Sequence, residues 1–268
     1  MGIVNRTPDS FYDGGRTDLD DAVGHALRLV EEGATILDVG GVKAGPGPAV
    51  SELEELDRVV PLVEAIHART DTAISVETSR PPVARAAIEA GAGLINDVSE
   101  LADPGLARAC AETGAALALM HHGGQVRGRP RHPRYDDVVA EVMDRLAELA
   151  RTATECGVPD DRLLVDPGLD FGKNTFHSLE LCRRLSEMTS GRYPVLFAPS
   201  RKDVVGETLG LPPDERLEGT LALVALAAGA GCAVIRVHDV RAAERTVRMV
   251  EAVTGTGAPV SPIRGLWD

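Results

Sequence analysis

The sequence predicts a single (β/α)8 TIM barrel, an α/β protein in which residues 1–268 form one domain, and three observations predict it. First, a module repeats: an amphipathic stretch ends at Gly and passes at once into a short apolar run. Glu32-Gly-Ala-Thr-Ile-Leu-Asp38, Ala90-Gly-Ala-Gly-Leu-Ile-Asn96, Thr113-Gly-Ala-Ala-Leu-Ala-Leu119 and Ala230-Gly-Cys-Ala-Val-Ile-Arg236 are examples. Gly accepts the left-handed conformation that ends a helix, and the apolar run suits a strand covered on both faces. Second, eight such runs alternate with eight helical patterns, the signature of consecutive βαβ units. Third, the length of 268 residues suits a barrel, which typically uses about 250. Right-handed crossovers leave an open doubly wound sheet as the main alternative, but no Gly-rich dinucleotide fingerprint follows the first run.

The elements follow in order. The first strand is Gly2–Asn5; it begins with no lead-in to close the barrel bottom, which predicts a longer native N terminus. The further strands are expected at Thr35–Val39, Ala73–Glu77, Gly93–Asp97, Ala115–Met120, Leu163–Asp166, Val195–Ala198 and Ala233–Val237. Apolar residues recur at helical spacing after each, at 19–32, 51–69, 81–90, 103–113, 136–156, 175–189, 215–229 and 240–253. Pro-rich stretches at 45–48 and 130–133 read as loops on the active face, and the Gly/Pro-rich tail from Gly255 to Asp268 reads as frayed except at Ile263 and Trp267.

Composition narrows the class of ligand. The chain carries 41 acidic and 28 basic residues, a net charge of −13. Such a surface repels nucleic acid and anionic membranes, so an anionic ligand needs a local basic pocket. No stretch is apolar enough to span a bilayer, and none reads as a signal peptide. Cys110, Cys156, Cys182 and Cys232 show no metal spacing and read as buried thiols of a cytoplasmic protein.

In this fold, catalytic groups sit at the C-terminal ends of the strands. Here those ends carry Asn5, Asp38, Glu77, Asn96-Asp97, His121-His122, Asp166, Ser200-Arg201-Lys202 and Arg236 with His238-Asp239. The loops after strands seven and eight are the usual phosphate region, so Ser200, Lys202, Arg236 and His238 point to a phosphorylated or diphosphorylated substrate. The alternative for Arg236 is a structural ion pair, and for Arg201 a surface salt bridge. Glu77, Asn96 and Asp166 could hydrogen-bond a flat heterocycle bearing several N–H groups, or form an internal salt-bridge network across the barrel mouth.

At these residues the chain resembles dihydropteroate synthases. Met1-Gly-Ile-Val-Asn-Arg-Thr-Pro-Asp-Ser-Phe-Tyr-Asp-Gly-Gly15 is similar to the family's N-terminal signature. Asp38-Val-Gly-Gly41, Ile74-Ser-Val-Glu-Thr-Ser79, Leu94-Ile-Asn-Asp97, Asp166-Pro-Gly-Leu-Asp-Phe-Gly-Lys173, Ser200-Arg-Lys202 and Arg236-Val-His-Asp239 follow in the family's order. The family condenses 6-hydroxymethyl-7,8-dihydropterin diphosphate with 4-aminobenzoate in folate biosynthesis and releases diphosphate. The resemblance implies that Glu77, Asn96, Asp166 and Lys202 hold the pterin, and that Asn5, Arg236 and His238 hold the diphosphate with a Mg2+ bound at Asn5. It also implies that Asp13 helps assemble the amine site, that Met120, Phe171 and Lys173 shape the pocket, and that Glu77, Asp13 and Lys202 are catalytic. Diphosphate loss leaves positive character on the pterin methylene carbon, which a carboxylate would stabilise before the amine attacks. A homodimer is implied too, with the small-residue helix at Gly219–Gly229 as its contact face.

The second loop departs from the family. Typical members follow Gly-Gly with Glu-Ser-Thr-Arg-Pro-Gly, whereas this chain has Val42-Lys-Ala-Gly-Pro-Gly47. Ala44 and Gly45 replace a hydroxyl and a guanidinium, and the mobile ammonium of Lys43 is no substitute for a planar fork. Glu77 stands where the family has Asp, Asp170 adds negative charge in the sixth loop, and Arg6 stands at an apolar position. With Asn174-Thr-Phe-His177, Val204-Val-Gly-Glu-Thr-Leu209 and Glu215-Arg-Leu-Glu-Gly219, these features resemble the diverged second synthase of actinobacteria, a subgroup regarded as inactive in dihydropteroate synthesis. The expectation is pterin binding with weak 4-aminobenzoate binding, and a gain of dihydropteroate formation on the paired change Ala44→Thr and Gly45→Arg. The other readings are a paralogue that binds pterin-like ligands or a protein partner without catalysis, and a pterin-dependent methyltransferase. The last is disfavoured by the cation pair and by the lack of a corrinoid domain.

Overall fold

Strand β1 (Gly2–Asn5) pairs in parallel with β2 (Ile36–Gly40), and the series continues through β3 (Ala73–Glu77), β4 (Leu94–Asp97), β5 (Ala116–Met120) and β6 (Leu163–Asp166). A second parallel pair, β7 (Leu196–Phe197) and β8 (Val234–Ile235), completes the ring. Two seams close it. Val165 bridges Val195 between β6 and β7, and Gly2 bridges Val237 just past β8. Ile3 N–H donates to Val237 O at 3.1 Å and Val165 N–H to Pro194 O at 3.0 Å. The open-sheet alternative is excluded by this closure. The computed structural model describes residues 1–6, 19–42, 49–124 and 132–264.

β7 and β8 are shorter than the expected Val195–Ala198 and Ala233–Val237, because regular pairing holds for only two residues each. Beyond them single bonds take over, such as Arg236 N–H to Phe197 O at 2.9 Å and Val237 N–H to Met1 O at 2.9 Å. That loosening occurs where the chain must turn side chains into the mouth.

The outer wall follows the predicted order: α1 (Leu19–Glu31), α2 (Glu52–His67), α3 (Pro81–Glu89), α4 (Gly105–Thr113), α5 (Val138–Glu155), α6 (Thr175–Arg183), α7 (Leu185–Thr189), α8 (Asp203–Leu209), α9 (Leu217–Gly229) and α10 (Val240–Thr254). The stretch expected as one helix at 175–189 breaks at Arg184, whose φ of −105° and ψ of 23° leave the helical region. Its guanidinium there joins Asp137, the N-cap of α5, at 2.8 Å. Helix α8 was not expected. It lacks an N-terminal signal because its N-cap is Lys202, whose side chain makes no cap bond.

Alternation along parallel strands separates two packed layers. One face of each strand (Val4, Leu37, Val39, Ile74, Val76, Ile95, Leu117, Leu119) meets the helices in the main core. The other face fills the barrel floor with Leu94, Ala118, Leu196 and Ala198, against which Met1, Leu164 and Val234 pack. Continued toward the strand ends, that inner face becomes polar: Asp38, Ser75, Glu77, Asn96, Asp166 and Arg236. Small apolar floor residues below and ionisable groups above define where a ligand sits.

The four cysteines are unpaired. Cys110 and Cys182 are buried, but Cys156 and Cys232 are only half-buried, because they sit at the C-cap of α5 and in the turn before β8 rather than in the core. In the tail Ile263 is exposed, contrary to expectation, and Trp267 lies outside the described residues. No helix among the described residues is long and apolar enough to cross a membrane.

Candidate functional site

Register places the mouth residues before any side chain is considered. Asn5 lies beside Gly40, Gly40 beside Glu77 and Glu77 beside Asn96, so these four share one level. Asp38 and Ser75 share a level two residues deeper, and Asp166 ends β6 opposite Met120. Gly40 is small for a reason: a Cβ there would stand 3.1 Å from Asn5 Oδ1.

Arg236 is the hub. It enters from β8 and spans the mouth, with Nε donating to Asp38 Oδ2 at 2.6 Å and Nη2 donating to Glu77 Oε2 at 2.7 Å. Asp38, fully buried, also accepts from Ser75 Oγ at 2.5 Å and Asn96 Nδ2 at 3.3 Å. Of the two sequence alternatives for Arg236, a phosphate contact and a structural ion pair, the structure shows the ion pair, with the guanidinium reaching Asp38 and Glu77 directly. Sequence reasoning left Asp38 without a role. The signal was present, since a carboxylate inside the apolar run Ile-Leu-Asp-Val needs a buried partner.

The remaining residues that the resemblance assigns to the pterin gather around this hub. Asn96 Oδ1 is buried with no hydrogen-bond partner among the described residues. Asp166 accepts from Gly168 N–H at 2.7 Å, and burial raises its carboxyl pKa while the nearby Lys202 opposes the rise. Lys202 donates to Leu169 O at 2.9 Å, lies 5.0 Å from the centroid of the Phe171 ring, and has its ammonium pKa lowered by burial. Burial likewise raises the Glu77 pKa, with Arg236 pulling it back and Asp38 pushing it further. Ionisable groups of both signs thus share the mouth. Met120 is buried beneath it.

The two basic loops are knitted to each other. Ser200 Oγ lies 2.9 Å from His238 Nδ1 and accepts from His238 N–H at 3.1 Å. Arg201 forks Asp239 through Nε at 3.0 Å and Nη2 at 2.8 Å. Arg201 is therefore a salt-bridge residue, and His238, at the exposed rim, is held below its usual pKa by lost hydration and by Arg236 and Arg201.

Lys173 serves as loop scaffolding. Its buried ammonium contacts His121 Nδ1 at 2.8 Å, Gly168 O at 3.0 Å, Phe171 O at 2.9 Å and His121 O at 3.3 Å. It ties the β5 loop to the β6 loop and so shapes the pocket wall from behind. Asp170 has a similar structural use: its carboxylate accepts from Ser178 Oγ at 3.1 Å and from Val204 N–H of α8 at 3.2 Å. Its charge is directed at a helix N-terminus, not at an incoming amine. Arg6 also turns away from the mouth, donating to Asp57 O and Arg58 O of α2.

Asp13 and the departing residues Lys43, Ala44 and Gly45 lie outside the described residues. The latter loop's flanks are fixed, with Arg58 donating to Gly41 O at 2.9 Å and Arg80 to Val50 O at 2.7 Å. Among the described residues no group of three or more His, Cys, Asp or Glu side chains is arranged to hold a metal. The oxygen donor at the expected place is Asn5, so the residues present fit an ion that brings most of its ligands with it.

Comparison with known proteins agrees with this chemistry. Residues 1–238 match the model of the pterin binding enzyme family. A Mycobacterium leprae protein named inactive dihydropteroate synthase 2 is 50% identical over 99% of this chain and 94% of its own length. The dihydropteroate synthase of Escherichia coli is 46% identical over 94% of this chain and 90% of its own. The crystal structure of the Yersinia pestis dihydropteroate synthase in a sulfonamide drug complex superposes with a TM-score of 0.90 at 42% identity, covering 95% of this chain and 93% of that one.

Proposed function

This chain belongs to the family of pterin binding enzymes, and from that premise we propose that its barrel mouth binds 6-hydroxymethyl-7,8-dihydropterin diphosphate for condensation with 4-aminobenzoate. One observation carries the reading. Asn96 Oδ1 is a buried acceptor without a hydrogen-bond partner among the described residues, at the same end of the barrel as the neighbouring Asp166 carboxylate and Lys202 ammonium. A buried acceptor left unpaired costs free energy that a ligand N–H recovers, and a pterin edge offers donors and acceptors in the same plane.

In this reading Asn96 and Asp166 accept from the pterin N–H groups and Lys202 donates to a ring acceptor. Glu77 and Asp38 place negative charge near the methylene carbon from which diphosphate departs. Arg236, with His238 and Ser200 at the rim, receives the departing phosphate oxygens. Asp13 helps seat the amine. Asn5 would hold Mg2+, which when bound would neutralise diphosphate charge. We place the protein in the cytoplasm, where four unpaired thiols persist, and as a homodimer. Supporting the dimer, α9 is apolar around its circumference with Leu226 exposed, and α10 beside it exposes Met249 and Val253.

A second reading, pterin binding without condensation, is favoured by the ion pairs that already occupy Arg236. Calorimetric titration and a turnover assay separate the two. Both readings expect heat with the pterin diphosphate; the first also expects dihydropteroate and free diphosphate when 4-aminobenzoate is added. No heat with any pterin removes both.

A further inference from the structure

Two carboxylates compete for the guanidinium that a phosphate would use. A guanidinium takes a phosphate or carboxylate through a planar fork of adjacent N–H groups. At Arg236 the Nε–H and an Nη2–H of one edge are engaged by Asp38 at 2.6 Å and by Glu77 at 2.7 Å. The two partners are not equivalent. Asp38 is held in place by Ser75 and Asn96 as well, and it is fully buried. The Glu77 carboxylate has no other hydrogen-bond donor among the described residues, and its side chain keeps 11% exposure at the rim. Glu77 is the partner that can swing away.

We propose that Glu77 is an internal stand-in for the ligand's phosphate end, and that its displacement from Arg236 sets how tightly this protein takes a phosphorylated over an unphosphorylated ligand. The proposal rests on the reading of Arg236 as a phosphate contact. Before a phosphate oxygen can take this Nη2–H, the Glu77 carboxylate must leave it, while Asp38 keeps Nε. The displaced carboxylate then remains in a mouth that already holds Asp38 and Asp166, with Lys202 as the other cation nearby. Both consequences oppose phosphate binding, and neither acts on a ligand that makes no use of Arg236. Reach is the decisive quantity. A side chain one methylene shorter at this position would hold its carboxylate about 1.5 Å further back, and the Nη2–H would be open while Asp38 stays on Nε.

Inorganic pyrophosphate, titrated without metal or pterin, tests this directly in wild type, Glu77→Gln, Glu77→Asp and the double variant Glu77→Gln with Arg236→Gln. The expected result is pyrophosphate binding about tenfold tighter in Glu77→Gln than in wild type, a gain also in Glu77→Asp, and loss of that gain in the double variant. The 15Nε resonance of Arg236 should shift in both single variants, and an unfolding midpoint establishes that each is folded. Equal or weaker pyrophosphate binding in both folded single variants overturns the proposal, as does tightened binding that survives Arg236→Gln. Titration of unphosphorylated 6-hydroxymethylpterin into wild type reads the pterin assignment separately. Its failure beside a tightened Glu77→Gln would leave an anion site gated by Glu77 and remove the pterin reading.

Discussion

His121 and Lys173 share one buried corner, and the proton between them has a consequence for stability. Lys173 lies 2.8 Å from His121 Nδ1, and burial together with the lysine's charge pushes the His121 pKa down to about 4. An unfolded chain protonates histidine near pH 6.5. Between those values the unfolded state binds more protons, so stability is fully present above about pH 6.5 and is lost as pH falls toward 4. The loss assigned to this one residue is up to about 3 kcal/mol. Urea unfolding of wild type and His121→Gln at pH 7, 6, 5 and 4 checks it: the variant's stability should fall less steeply, whereas parallel curves would show that His121 is not the buried neutral group described. Residue identities at the mouth were legible in the sequence, because ionisable groups at nearly every strand end are hard to explain otherwise. Their pairing was not. Arg236 is 198 positions from Asp38 and 159 from Glu77, and only the closed ring brings them together.

At the scale of elements, α2 shows how one side chain repairs another's defect. Pro61 lies inside the helix and has no N–H to offer the carbonyl of Asp57. The Arg6 guanidinium, arriving from the end of β1, donates to that carbonyl at 3.2 Å and to Arg58 O at 2.8 Å. What reads in sequence as a charge at an apolar position is a tether between strand and helix. Arg6→Leu should therefore cost about 1–2 kcal/mol. In a Pro61→Ala background, where an N–H returns to Asp57 O, the same change should cost measurably less; equal costs in a double-mutant cycle would refute the coupling. Strands and the longer helices were readable because each buries a regular apolar face. The seven-residue α8 was not, since its N-terminus has no side-chain cap of its own and is held from outside by Asp170 and Arg216. Nor was the break at Arg184 readable, because it depends on Asp137 from another helix.

The whole molecule concentrates its cations. A net charge of −13 would repel an anionic ligand, yet Lys202 and Arg236 converge on one end of the barrel, with the neutral imidazole of His238 beside them. Helices α9 and α10 expose Leu226, Met249 and Val253 on the outer wall. If a second copy covers them, Leu226→Glu should convert a dimer to a monomer in sedimentation at micromolar concentration without changing ligand heats at the mouth; a sedimentation coefficient unaltered by that change would argue against this face. Fold class was legible at this scale from the repeating module alone, while the function needed the ring of polar strand ends and the order of the family's motifs.

The proposed function depends on Asn96, Asp166 and Lys202 acting together as a floor for the pterin. Its most direct test is titration of 6-hydroxymethyl-7,8-dihydropterin diphosphate into wild type and into Asp166→Asn, a change that keeps shape and removes the acceptor charge. Saturable heat in wild type, with affinity lower by about 30-fold or more in Asp166→Asn, is the result expected for loss of a charged buried hydrogen bond. Heat of equal affinity in both proteins, or none in wild type, would contradict it.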